Sequence, residues 1–209
     1  MNEKLKHLVE KNSEIFIQQV KEWTEIITSF ETRNKYRLYN KDNEELGFAA
    51  ESNKGLFSFI ARQIFKTHRP LNINCFDGQN NVMLNLTRPF FFFFSDLTVK
   101  TGDGEVLGHI HRRFGIIYKK YDLCDAQGNA FAFVRAPIWR LWTFPIFDIS
   151  DREIGVITKK WGGLLKEMFT DADRFGIQLP QEFSWQEKVV AFSAALSIDM
   201  DFFDDNHKR

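Results

Sequence analysis

Apolar and polar residues alternate along this chain with two different periods. From residue 2 to about residue 30, Leu5, Leu8, Val9, Ile15, Phe16, Val20, Trp23 and Ile27 fall mostly three, four or seven apart. One face of a helix needs that spacing, so the pattern predicts an N-terminal amphipathic helix over 1–30. From Lys35 the period shortens. Short runs rich in β-branched and aromatic residues alternate with the turn signals "KDNEELG", "DGQNN", "TGDGE", "DAQGN", "SDREIG" and "WGG". They predict strands over roughly 35–40, 46–51, 71–76, 82–87, 91–100, 105–112, 114–123, 129–135, 138–148, 154–161, 164–169 and 174–179. Residues 55–66, "GLFSFIARQIFK", fit neither period cleanly. Short, regularly spaced strands joined by tight turns point to an all-β sandwich or barrel built mainly of hairpins.

The C-terminal pattern changes again. "SWQEKVVAFSAALSIDMDFF" predicts a helix over 184–203. Ser184 and Glu187, three apart, form a capping box that satisfies two orphan amides. Between Val189 and Ile198 the helix is apolar on nearly every side. A bilayer span needs about 20 such residues, and Asp199 and Asp201 close this run too early. A helix that is apolar all round must be buried in protein, and a barrel wrapped around it would bury it. The two aspartates oppose the negative C-terminal end of the helix dipole, and nothing in the sequence accounts for them.

Composition then narrows the function classes. The chain has 209 residues, 44% of them hydrophobic, and 28 acidic against 28 basic side chains. The balance lacks the basic footprint of a nucleic-acid binder. Cys75 and Cys124 are too few for a disulfide framework and lack the paired spacing of a zinc site. The first residues have no signal-peptide run, and a cytoplasmic location is expected. No serine sits in a nucleophile elbow, "GDGE" at 102–105 lacks the helix and lysine of a phosphate loop, and the carboxylates are unpatterned, so no enzyme is expected. His109 and His111 share one strand face without a third ligand. Phenylalanine is the outlier, with 23 copies, five of them consecutive from Phe90 to Phe94.

"SFETRNKYRLYN", "RPFFFFF", "IGVITKKWGGLLKEMFTDADRFGIQLP" and "VVAFSAALSIDMDFF" resemble, in that order, the phospholipid scramblase family. The resemblance covers roughly Ile26 to Phe203 and implies the tubby-like fold: a closed twelve-stranded β-barrel around a buried C-terminal helix. Residues 31–209 would form that barrel. It implies a protein that acts at phospholipid membranes without covalent chemistry, peripheral at the inner face, with calcium as a regulator. The residues read here match the family without the proline-rich N-terminal extension of its eukaryotic members, so a compact member is expected. Their acylated cysteine clusters correspond to Phe90–Phe94 and "PIWRLWTFP", which are aromatic in this chain.

Two sets of site residues follow. Phe91, Phe93, Trp139, Arg140, Trp142, Lys159, Lys160 and Trp161 are the expected membrane contacts: aromatic rings suit the headgroup boundary and basic side chains suit anionic lipid. The competing reading makes the phenylalanines strand core. Asp171, Asp173 and Glu182 are the expected Ca²⁺ ligands. With Gly176 they occupy positions one, three, twelve and six of a calcium loop, although Phe175 stands at position five. The competing reading is a turn in which the aspartates bond their own backbone. The alternative function is a soluble tubby-like scaffold for a protein or lipid-headgroup partner.

Overall fold

The computed structural model describes residues 2–20, 35–52, 70–91, 95–159 and 174–202. Its order is α1 (Asn2–Lys11), β1 (Glu14–Gln19), β2 (Lys35–Tyr39), β3 (Glu45–Glu51), β4 (Leu71–Phe76), β5 (Val82–Arg88), β6 (Asp96–Thr101), β7 (Val106–Arg113), β8 (Tyr118–Asp125), β9 (Ala130–Pro137), β10 (Thr143–Asp148), β11 (Glu153–Thr158), β12 (Arg174–Gln178) and α2 (Trp185–Phe202). Each strand pairs antiparallel with the next, and β1 pairs with β12, so the twelve strands close into a barrel. This is the tubby-like architecture. No strand in it has a free edge, which removes the usual route to edge-to-edge aggregation.

The alternation along the strands sorts the residues. Leu84 and Leu86 of β5, Tyr121 and Leu123 of β8, and Val134 and Ala136 of β9 are buried in the core. Asn72, Asn74 and Asn85 face outward as a polar ladder in which the Asn85 amide donates to both partners at 2.8 and 2.7 Å. The interior is filled by α2. Val189 to Ile198 are buried throughout, as the all-round apolar pattern demands. The capping box forms as expected: the Glu187 carboxylate accepts from the Ser184 amide at 2.8 Å, and Ser184 Oγ accepts from the Glu187 amide at 3.3 Å. The helix lies so close to β7 that a Cβ on Gly108 would stand 2.6 Å from Val190 Cγ2 and 2.3 Å from the Cys124 carbonyl oxygen.

The acids that end α2 also find partners. Asp199 accepts from the Tyr36 hydroxyl at 2.8 Å. Asp201 accepts from Arg88 and from the Tyr121 hydroxyl, each at 2.9 Å, with Arg112 at 3.6 Å. Buried guanidinium and phenol groups thus offset the charge that the helix dipole disfavours.

The N-terminal segment differs from the expected single helix over 1–30. The helix ends at Lys11, where the Asn12 side chain donates to the Leu8 carbonyl at 2.8 Å and takes one orphan acceptor of the last turn. Ile15, Phe16 and Ile17 are then buried as strand β1, which closes the barrel. Helix α1 does not lie along the outer wall. Leu5, Leu8 and Val9 join the main core, and α1 packs against α2 and β5. The strand expected over 164–169 and the segment 55–66 lie outside the described residues.

The two rims of the barrel differ. At one, β2–β3, β4–β5, β6–β7, β8–β9 and β10–β11 are joined by turns of one design, each with a residue at positive φ: Asn43, Asn80, Gly104, Gly128 and Asp151. Asn40, Asp77, Asp125 and Asp148 each accept backbone amide bonds two and four residues on. This rim carries the carboxylates of these turns, and α1 covers part of it, with Lys4 bound to Asp77 at 2.8 Å. The C-terminal end of α2 points to the other rim.

Candidate membrane-docking surface

The second rim carries two hairpin tips. Residues 114–117 join β7 to β8, and 138–142 join β9 to β10. The strands pair with Tyr118 facing Pro137, and the Ile138 amide donates to the Ile117 carbonyl at 3.0 Å, which ties one tip to the other. Gly115 is required for the first: a Cβ there would stand 2.2 Å from the Tyr118 carbonyl oxygen. A hydrogen bond of 3.0 Å from the Arg140 amide to the Pro137 carbonyl turns the second.

These tips hold most of the exposed large apolar side chains of the described residues. Phe114 is 77% exposed, Ile116 80%, Ile117 52%, Ile138 46%, Trp139 67% and Leu141 49%. Ile149, on the opposite rim, stands apart from them. Single exposed apolar residues need no explanation, but a contiguous cluster marks an interaction site.

Cations stand immediately behind the tips. On the outer face Arg113 pairs across the sheet with Lys120, and Lys120 with Arg135. Arg113 is held by Asp122, and Arg135 by Asp151, each at 2.5 Å. Lys120 lies 6.0 Å from the Tyr118 ring centroid. On the inner face Lys119 lies 5.0 Å from the Phe144 ring centroid and 3.5 Å from the Arg140 carbonyl oxygen. Burial lowers the Lys119 pKa, and the Arg112 charge adds to that effect.

The structure brings several of the expected contacts to this rim. Trp139 and Arg140 are exposed in the second tip, and Trp142 is half-buried at its root. Lys159 lies beside it, 5.6 Å from the Trp142 ring centroid, with its amide bonded to the Trp142 carbonyl at 2.9 Å. Phe91 corrects the expectation of a surface group. It is buried, with the Arg88 guanidinium 5.1 Å from its ring centroid. Phe93, Lys160, Trp161, Asp171 and Asp173 lie outside the described residues. Glu182 is exposed in the turn before α2. No cluster of three or more metal-ligating side chains occurs among the described residues. His109 and His111 stack at 6.0 Å on the outer wall, with His111 bound to Asp96.

Sequence reasoning missed Phe114, Ile116, Ile117, Ile138 and Leu141, which it placed within strands. A signal was available. No acidic residue occurs between Glu105 and Asp122, or between Asp125 and Asp148, while these two runs carry Arg112, Arg113, Lys119, Lys120, Arg135 and Arg140.

Other features offer less. A groove of about 550 Å³ between α1 and the β2–β3 turn is lined by Lys4, His7, Lys11, Asp42, Glu44 and Asp77 among others. Its charges are of both signs, and Lys4 and Asp77 already pair. Both cysteines are buried. Burial pushes the Cys75 thiol up to about 12 and raises that of Cys124, which Asp122 raises further. Neither is poised as a nucleophile.

Among known proteins, the Scramblase family model matches residues 1–205. Human phospholipid scramblase 1 is 26% identical over 91% of this chain and 63% of its own length. A phospholipid scramblase family protein of Schizosaccharomyces pombe is 22% identical over 92% of this chain and 60% of its own. The Saccharomyces cerevisiae protein named altered inheritance rate of mitochondria protein 25 is 23% identical over 93% and 71%. The chain therefore spans about two thirds of the length of these relatives. An Arabidopsis thaliana protein solved by X-ray diffraction shares the fold, with a TM-score of 0.50 and 12% identity over 92% of this chain and 91% of that one. With the family model matched from end to end of the barrel and its central helix, the chain belongs to the scramblase family.

Proposed function

We propose that this protein works as a scramblase-like protein at the surface of phospholipid membranes, docking peripherally and perturbing the bilayer without covalent chemistry. One observation carries the reading: two hydrogen-bonded hairpin tips present Phe114, Ile116, Ile117, Ile138, Trp139 and Leu141 to solvent on one rim. Full burial of a large apolar side chain is worth about 1.5–3 kcal/mol, so partial insertion of several offsets the entropy lost on docking. The peripheral mode has two supports. No described helix is long and apolar enough to cross a membrane. The described strands turn polar groups such as Asn72, Asn74 and Asn85 outward and apolar ones inward, the reverse of a spanning barrel with its apolar outer band.

Calcium belongs to the same proposal, with Asp171, Asp173 and Glu182 as ligands and a strengthened membrane contact as the result. A cytoplasmic, inner-leaflet location follows from it. The second reading, a soluble scaffold for a protein partner, is favoured by the burial of Phe91, which withdraws one expected lipid contact.

Flotation with phospholipid vesicles tests the choice. The chain should float with calcium and with chelator, more strongly with calcium, and Ile116→Ser/Trp139→Ser should sink. A protein that stays at the bottom with every vesicle composition overturns the membrane reading and selects the scaffold. Flotation then justifies a reconstituted lipid-scrambling assay.

A further inference from the structure

The charges behind the tips say which membrane. The register places Arg113, Lys120 and Arg135 side by side across β7, β8 and β9 on the outer face. Like charges directly opposite one another weaken a sheet, and here the Arg135 guanidinium turns away from Lys120, over the Phe147 ring at 4.8 Å and onto Asp151. Asp122 and Asp151 compensate the two outer cations. Lys120, between them, has no carboxylate within ion-pair distance among the described residues; its neighbour is the Tyr118 ring at 6.0 Å. Arg140 extends the cationic zone into the second tip and is exposed. The acid-free runs 106–121 and 126–147 supply both tips and the cations just behind them, while Asp96 and Asp122 are the carboxylates on the adjoining outer wall, bound to His111 and Arg113. A negative surface attracts the exposed cations of Lys120 and Arg140 behind and within the tips.

We infer that the double hairpin tip is a docking wedge for an anionic phospholipid bilayer. Phe114, Ile116, Ile117, Ile138, Trp139 and Leu141 enter the headgroup boundary, while Lys120 and Arg140 meet lipid phosphates and carboxylates. The inference rests on the membrane reading above and adds lipid class and orientation to it. Apolar insertion alone binds neutral and anionic vesicles alike. The cationic row makes the difference between them, and it does so through charges that salt screens.

The test measures partition of the purified chain onto phosphatidylcholine vesicles and onto the same vesicles doped with phosphatidylserine, at low and high salt. Wild type should favour the anionic vesicles, with the preference fading at high salt. Lys120→Gln/Arg140→Gln should lose roughly 25-fold on anionic vesicles, at about fivefold per charge, and remain unchanged on neutral ones. Trp139→Ser should weaken both. Equal wild-type binding to the two vesicles overturns the inference and leaves the membrane reading intact. A double variant that retains wild-type preference also overturns it. Binding to neither vesicle overturns both readings. Far-UV circular dichroism shows that each variant is folded.

Discussion

The Arg88–Asp201 pair locks the central helix, and Asp201→Asn tests that lock. The Arg88 and Asp201 side chains are only 3% and 1% exposed and meet at 2.9 Å. Tyr121 donates the second bond to Asp201, also at 2.9 Å. The substitution keeps shape and volume but removes the charge, leaving a buried guanidinium facing a neutral amide. Breaking one side of a buried pair costs about 3–5 kcal/mol. With a urea slope near 2 kcal/mol per M, the unfolding midpoint should fall by roughly 1.5–2.5 M. The control is Arg37→Gln, which removes a partly exposed pair with Glu45 and should cost about 0–1 kcal/mol. Urea titrations followed by circular dichroism and tryptophan fluorescence read both. Arg88→Met/Tyr121→Phe/Asp201→Leu should recover much of the loss, because the buried guanidinium, carboxylate and phenol hydroxyl are removed together and the remaining cation, Arg112, is partly exposed to solvent. If Asp201→Asn moves the midpoint no more than Arg37→Gln does, the pair is hydrated and does not hold the helix.

Gly108→Ala should lower stability by about 1–3 kcal/mol by thermal melt, because its Cβ would collide with the Cys124 carbonyl and Val190. Ser193→Ala in α2 should change stability little, since the hydroxyl bonds only the Val189 carbonyl of its own helix at 2.7 Å. Burial raises the Asp77 carboxyl, but bonds from Lys4, Asn81 and two backbone amides outweigh it and hold the group well below the usual carboxylate range. A depressed folded value gives stability that is present above the unfolded value and lost as pH falls through the folded one. Wild type should therefore lose stability below about pH 4 more steeply than Asp77→Asn, as acid titration of the melting temperature reads. On vesicles, tryptophan emission should shift to the blue, and Trp139→Phe should remove most of that shift.

The central helix was the most legible element. Ten consecutive positions without a charged residue, closed by acids, leave only burial in protein. The hairpin strands were legible from their turns because Asn40, Asp77, Asp125 and Asp148 organise those turns locally. Strand β1 was not. Leu5, Leu8, Val9, Ile15 and Phe16 keep helical spacing straight through the break at Asn12, and only long-range pairing with β2 and β12 decides that Ile15–Ile17 extend. The tips were misread for a related reason. Ile116, Ile117 and Ile138 are β-branched, and propensity assigns such residues to strands. What places them outside is the register, which ends pairing at Arg113↔Lys120 between β7 and β8 and at Tyr118↔Pro137 between β8 and β9. Charge distribution, not hydrophobicity, was the signal that distinguished these apolar residues from core.

Geometry limits what such a rim can do to a bilayer. The tips project only a few residues beyond Lys120 and Arg135, and at about 3.3 Å per residue they reach roughly 10 Å past that cationic row. Docked residues at that depth lie in the headgroup boundary, where interfacial segments sit about 5–10 Å deep. They cannot cross about 30 Å of hydrocarbon. Nor does the barrel supply a route, because α2 fills its interior and Asp201 is tied to strands on both sides, β5 and β8. On the proposed docking mode, lipid movement would proceed through the bilayer beside the tips, with the apolar wedge spreading headgroups, the cations holding them and the barrel keeping the two short hairpins at one level.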